Sequence, residues 1–199
     1  MPLNENAYVL IGPQVALGPM RTDLIANYLN WKNDVELQRA LSGAKALHTL
    51  ESYTELYQRE MAEPDSLVLT IYVRASETPI GTVKVSNICY QNRTARFTII
   101  IAHSDARQRG YATEATQLML DYAFRDMQLY SLYVQIPQYN IAAFKTFEKV
   151  GFVQFGRERE AVIAMGRVWD KLHMQCLAPE FFNKAEVGGR NTPAAVRVR

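Results

Sequence analysis

The sequence predicts an α+β domain built on a mixed, largely antiparallel central sheet flanked by helices. Three observations carry this. Residues 66–74, 79–88 and 94–102 are β-rich runs joined by connections too short for a crossover, so they form an antiparallel meander. An amphipathic helix pattern follows, with Ala115, Leu118, Met119, Tyr122 and Ala123 at i, i+3, i+4, i+7 and i+8. The chain then alternates strand, helix, strand, strand, which makes the sheet mixed.

The elements read as follows. Residues 8–17 form a first strand closed by Gly18-Pro19. Thr22 caps a helix whose apolar face is Ile25, Tyr28 and Leu29. A second helix follows Asn33-Asp34, and Thr49 caps a third, carrying Tyr53, Leu56 and Tyr57, that stops near Pro64. In the fourth strand, Phe97-Thr98-Ile99-Ile100-Ile101 lacks strict alternation, which suits burial on both faces. The long helix turns Glu114, Gln117, Asp121 and Arg125 away from its apolar stripe. Residues 130–136 form the fifth strand, ended by Pro137, and Ile141–Val150 a helix that Gly151 closes. The last strands are 152–160 and Arg167–Leu177, the latter with Val168, Leu172, Met174 and Cys176 on one face. Residues 1–182 therefore read as a single domain. Residues 183–199, with Gly188-Gly189, Pro193 and three arginines but no apolar period, read as a disordered, solvated tail.

Composition narrows the function classes. The chain has 199 residues, is 48% hydrophobic and 21% charged, and balances 22 basic against 20 acidic side chains. A net charge of +2 argues against nucleic acid or an anionic membrane as partner. No apolar run approaches the roughly 18 residues of a membrane helix. Cys89 and Cys176 match no metal or redox spacing and read as reduced thiols, so the expected setting is cytoplasmic and no metal is expected.

The segment Arg107-Gln108-Arg109-Gly110-Tyr111-Ala112-Thr113-Glu114-Ala115 lies between a strand and the long helix. Its backbone N–H groups crown a helix N-terminus, where unpaired donors and the positive end of the macrodipole favour an anion. Gly110 allows a turn and a close backbone approach, and Arg107 and Arg109 add charge. A pyrophosphate fits such a loop. Neither the G-x-x-x-x-G-K-S/T loop of nucleotide triphosphatases nor a G-x-G-x-x-G after a first strand is present.

In Arg107-x-x-Gly110-x-Ala112 this loop resembles the acyl-CoA pyrophosphate loop of the GNAT superfamily of N-acetyltransferases. Asn140-Ile-Ala-Ala143-Phe-Lys-Thr-Phe147-Glu-Lys149-Val-Gly151-Phe152 resembles that family's N-x-x-A-x-x-x-Y-x-K-x-G-F segment. Trp31-Lys32-Asn33-Asp34 and residues 110–124 are most similar to the branch that acetylates ribosomal-protein N-termini.

The resemblance implies a V-shaped splay between the fourth and fifth strands, in which Ile100, Ile101 and Ala102 pair with pantetheine. It also implies acetyl-CoA as co-substrate, with its pyrophosphate on the amides of Gln108, Arg109, Gly110, Tyr111, Ala112 and Thr113. Asn140 would bond the pantetheine, Lys149 would approach the nucleotide phosphate, and Ala143 and Phe147 would line the same cleft. The implied reaction is direct attack of a primary amine on the thioester, with an amide near Ile100 or Ile101 polarising the carbonyl. The acceptor is a small-molecule amine or a protein N-terminus, and a homodimer fits the family.

Three departures stand out: Ala112 takes the place of the loop's second glycine, and two more bear on proton transfer. Phe147 occupies the position of the family's tyrosine acid, and Arg96 stands where many members carry a glutamate in the fourth strand. The substitute candidates are Tyr139 as acid and His103 as base, a residue type that titrates near neutrality. On the acceptor side, Trp31, Asn33, Asp34, Glu160, Trp169 and Asp170 are the candidates, their carboxylates attracting a cationic amine and the tryptophans offering a cation–π wall. Core packing explains either tryptophan equally well. Phe147 and Arg96 also leave a second class open, a non-catalytic acyl-CoA-binding or sensing module.

Overall fold

The computed structural model describes residues 8–41 and 47–187. The three β-rich runs fold as β3 (Leu67–Val73), β4 (Thr78–Cys89) and β5 (Thr94–Ile101), paired antiparallel in sequence order. They sit in the middle of an eight-stranded sheet ordered β1-β2-β3-β4-β5-β6-β8-β7. Of its seven neighbour pairings only β5 against β6 (Ser131–Pro137) is parallel. The expected α+β architecture, a mixed and largely antiparallel sheet flanked by helices, is therefore present.

The first strand is two. Gly12-Pro13 reverses the chain, so β1 (Leu10–Ile11) and β2 (Val15–Pro19) form a small hairpin. Thr22 caps nothing: it opens a short 3-10 turn, Thr22–Leu24, and α1 (Ile25–Asn33) follows from Leu24. The other two N-terminal starts hold. The Asp34 carboxylate accepts from the Glu36 and Leu37 amides at the head of α2 (Val35–Leu41). Thr49 and Ser52 close a capping box on α3 (Leu50–Ala62).

Strand alternation divides the sheet chemically. On β3 to β5 the side chains of Leu69, Ile71, Val83, Val85, Ala95 and Phe97 point into the main core, against α4 (Tyr111–Arg125) and α5 (Ile141–Val150). The intervening residues face α1 to α3. There Tyr28, Tyr53 and Tyr57 make a second cluster, and Tyr28 shares a hydrogen bond with Thr70 Oγ1 at 2.7 Å.

Ile99, Ile100 and Ile101 are only half-buried. Their unbroken hydrophobicity does not mark a strand covered on both faces, as the sequence suggested; these residues border the cavities described below. Asp121, placed on the polar side of the long helix, is buried and held by Arg125 Nε at 2.7 Å. Glu114 accepts from the Gln14 and Val15 amides at 2.7 and 3.1 Å, tying the start of α4 to the β1–β2 hairpin.

β7 (Val153–Ala164) and β8 (Arg167–Leu177) form a long hairpin through a two-residue turn, Met165-Gly166, both at positive φ. Leu172, Met174 and Cys176 are buried, but Val168, on the same face, is exposed near the hairpin tip. α6 runs from Ala178 to Val187, so regular structure continues past residue 182. The rest of the expected tail, 188–199, lies outside the described residues.

Candidate active site

β5 and β6 pair only at Thr94–Ser131, Ala95–Leu132 and Arg96–Tyr133. Beyond Arg96, β5 stays with β4 as far as the Ile101–Gly81 pair, while β6 continues with β8. This is the expected splay, and it leaves one edge of β5 unpaired. The Ala102 N–H donates to the Ile80 carbonyl at 2.7 Å, which sets the phase of the ladder. By antiparallel alternation the Ile100 amide bonds within the sheet, whereas the Ile99 and Ile101 amides face the opening. Of the two amides expected to polarise a thioester, only that of Ile101 has the right orientation.

The opening leads into a cavity of about 570 Å³. Its walls are Ile99, Ile100 and Ile101, the loop Ala106, Arg107 and Gln108, then Gly110, Ala112 and Thr113 at the head of α4. The first intrahelical bond of α4 runs from the Glu114 N–H to the Gly110 carbonyl, so the amides of Tyr111, Ala112 and Thr113 are the helix's orphan donors. Gly110 adopts φ +85 and Gln108 φ +60, the turn that aims this backbone at the cavity mouth. A side chain at Gly110 would meet nothing within 4 Å, so conformation rather than crowding requires the glycine.

The opposite wall is α5, through Ala142, Ala143, Thr146, Phe147 and the exposed Lys145 and Lys149. α2 supplies Glu36, Leu37, Ala40 and Leu41. A long, thin ligand with an anionic middle fits these walls: a free strand edge for amides, a helix head for phosphates and lysines at the rim.

Several expected contacts are made differently. Arg107 lines the cavity, but its guanidinium turns back, donating to the Ile101 and Ala102 carbonyls at 3.2 Å each. It braces the end of β5. Asn140 also lines the cavity while its side chain works locally: Oδ1 accepts from Ala143 N–H, capping α5, and Nδ2 donates to the Ala40 carbonyl at 2.9 Å. Arg109 is exposed, Tyr111 packs against the core and Ala102 is buried; none of the three lines the cavity. Phe147 is buried edge-on to Phe97 and Phe152, with no proton to give.

A second cavity, of about 300 Å³, lies on the α1–α3 face of the sheet and meets the first at Leu37, Leu41 and Ile100. Its floor is the alternate set Val68, Thr82, Lys84, Ser86, Arg96, Thr98 and Ile100. Tyr28, Trp31, Lys32, Gln38, Tyr53 and Glu60 enclose it. Lys84 Nζ pairs with Glu60 Oε1 at 2.7 Å and lies 3.8 Å from Glu63. Burial raises the Tyr28 and Tyr53 hydroxyl pKa values above the ordinary tyrosine value, so both stay protonated.

Only Trp31 of the six acceptor-side candidates reaches this cavity. Asn33 exchanges both amide groups with the His48 backbone, and the Asp34 carboxylate caps α2. Asp170 binds Arg157 at 3.0 Å and the Glu160 amide at 2.9 Å inside the β7–β8 hairpin, where Glu160 sits at a bulge with φ +54. Trp169 donates to the Ala164 carbonyl and meets the Tyr139 ring edge-on.

The substitute acid and base are also displaced. The Tyr139 hydroxyl donates to the Arg39 carbonyl, and burial raises its pKa. His103 is exposed, with its ring edge-on to Trp31 at 6.0 Å between centroids. Neither lines either of these two cavities. Sequence reading missed Lys84, Ser86 and Thr98, although their period-2 spacing with Arg96 and Ile100 was a usable signal.

The comparisons with known proteins agree with this geometry. A family model described as an acetyltransferase (GNAT) domain matches residues 14–153. The spermidine N(1)-acetyltransferase of Vibrio cholerae is 32% identical over 112 residues, 56% of this chain and 64% of that protein. This chain thus spans a little under two thirds of that relative's length. The alpha/beta-tubulin-N-acetyltransferase 9 of Drosophila melanogaster is 31% identical over 170 residues, 79% of this chain and 84% of that protein. The crystal structure of the Vibrio cholerae spermidine N-acetyltransferase with CoA and spermine shares the fold, with a TM-score of 0.80 at 24% identity over 86% of this chain and all of that one. With the family model covering most of the sequence, the chain belongs to the GNAT acetyltransferase family.

Proposed function

We propose that this protein transfers the acetyl group of acetyl-CoA to a primary amine by direct attack within a ternary complex. One observation carries the proposal: a cleft with a free strand edge and a helix head meets a separate polar cavity at Ile100. Such an arrangement brings a thioester and an amine together without an enzyme nucleophile between them.

Acetyl-CoA would supply the acyl thioester. The amides of Gln108 and residues 110–113 would hold its pyrophosphate, and Lys145 and Lys149 would screen the phosphate charge at the rim. The Ile99 and Ile101 N–H groups would bond the pantetheine and stabilise the carbonyl oxygen as it gains negative charge. The amine nitrogen bonds to the carbonyl carbon, the C–S bond breaks, and the nitrogen's surplus proton leaves with solvent while the thiolate is protonated. With Phe147 at the thiol side and Tyr139 and His103 outside both cavities, solvent carries these protons.

The family relatives narrow the acceptor only to an amine. Those named above acetylate a polyamine and tubulin by their names, whereas the sequence resemblance pointed toward ribosomal-protein N-termini. A cytoplasmic setting belongs to the same reading and is supported by two free cysteines. A homodimer is supported by the exposed Val153, Phe155, Ile163 and Val168 on the β7–β8 hairpin. The second reading, a non-catalytic acyl-CoA sensor, is favoured by Phe147 and by Arg96 in place of a glutamate.

Calorimetric titration with acetyl-CoA, followed by thiol release over an amine panel, tests both. Binding with turnover is the expected result. Binding without turnover on a broad panel selects the sensor, and no binding at micromolar acetyl-CoA overturns both.

A further inference from the structure

The acceptor cavity differs in charge from what a polycation needs. The cations lining it are Lys32, Lys84 and Arg96; Glu60 is the one carboxylate among its described lining residues, and Lys84 already holds it. Arg96 makes no ion pair among the described residues. Its Nε is buried and donates to nothing there. A buried guanidinium donor without a partner is costly, and a carboxylate is the group that best matches its planar fork.

Position gives the rest. Arg96 is the last β5 residue paired to β6, and Ile100, where the two cavities meet, lies four residues along the same face. That interval is about 13 Å of strand. An anion at Arg96 and a nitrogen at the junction are therefore several bonds apart in one molecule.

We propose, on the basis of the acetyltransferase reading above, that the acceptor is an amine carrying a carboxylate several bonds from the nucleophilic nitrogen, and that Arg96 binds this carboxylate. A polyamine would place its second cation against Arg96 and Lys32. Two sources share the required chemistry: a peptide N-terminus followed by an acidic residue, and a free amino acid acylated on its side-chain amine.

The test measures kcat/KM by thiol release at saturating acetyl-CoA for matched acceptors. These are a short peptide with Glu at its second position against the same peptide with Gln, lysine against cadaverine, and spermidine. The full-length chain should favour each carboxylate-bearing acceptor over its partner by about tenfold or more. The larger of the two preferred values names the source. Arg96→Gln should bring both ratios to within about twofold, mainly through KM, and Arg96→Glu should reverse the lysine–cadaverine ratio. Since the ratios in the unsubstituted protein stand alone, a variant that fails to fold does not rescue the proposal. Turnover with equal rates, or with spermidine or cadaverine preferred, overturns it and leaves the acetyltransferase reading intact. Acetyl-CoA binding with no turnover of either carboxylate-bearing acceptor overturns the proposal, and only the further absence of turnover on the broad amine panel overturns the acetyltransferase reading with it.

Discussion

The two cavities on either side of Ile100 are made in different ways. The coenzyme cleft uses backbone and short runs: Ile99 to Ile101, Ala106 to Gln108, the head of α4, and one face of α5. The acceptor cavity takes isolated side chains from α1, α2, α3, β3, β4 and β5. On the function proposed above, a run of amides would recognise the coenzyme, because backbone geometry survives most side-chain changes. Dispersed side chains recognise what differs, since each can change without disturbing the fold. If the second cavity receives the acceptor as proposed, Arg96, Lys84 and Trp31 tell more about it than any residue of the Gly110 loop.

The strongest way to break this contrast is Gly110→Val. A β-branched residue at φ +85 costs on the order of 1–3 kcal/mol or distorts the loop, so acetyl-CoA binding should weaken about tenfold or more by calorimetry. An unchanged Kd would mean that the backbone of this loop does not carry recognition.

Phe147→Tyr sharpens the contrast from the chemical side. Its ring borders the coenzyme cleft, and a hydroxyl there offers the departing thiolate a proton, so kcat should rise by up to about tenfold with acetyl-CoA KM little changed. A fall in kcat would show that the phenyl edge is sealed within the Phe97–Phe152 cluster.

Asp34→Ala separates packing from recognition. Loss of its two amide contacts should cost about 1 kcal/mol. The expected fall in Tm is about 2–4 °C, with kcat/KM for amines within about twofold. A tenfold loss of activity at unchanged Tm would return Asp34 to the acceptor site.

The smallest effect concerns the core behind the coenzyme cleft. Burial pushes the Cys176 thiol pKa up to about 12, whereas Cys89 is half-buried on β4. A maleimide added to the native protein at pH 7.5 should label Cys89 first, read by peptide mass spectrometry. Rapid labelling of Cys176 would show that the α5–α6 side opens readily.

The coenzyme side was readable from the sequence because its signals are local. A glycine before an apolar period marks a loop and helix head, and Asn140 with Gly151 brackets α5 whatever surrounds it. Reading failed where one residue type serves opposite ends. Asp34 and Asp170 look like ligands for a cation, yet each is consumed by neighbouring amides or an arginine. Ile99 to Ile101 look like core and instead border a cleft, because hydrophobicity does not report whether a strand has a neighbour.

By itself the sequence determined the meander, the long helix α4, the loop at Gly110 and the absence of a tyrosine at Phe147. These depend on periodicity, on capping and on residue identity over a few positions. Tertiary structure alone decided that β5 parts from β6 after Arg96, that Arg107 braces β5, that Tyr139 and His103 lie outside these two cavities, and that Arg96 Nε is buried near Lys84 with no partner among the described residues. Each of those outcomes turns on which distant segment arrives to satisfy a polar group, and that partner is chosen by the packing of the whole domain.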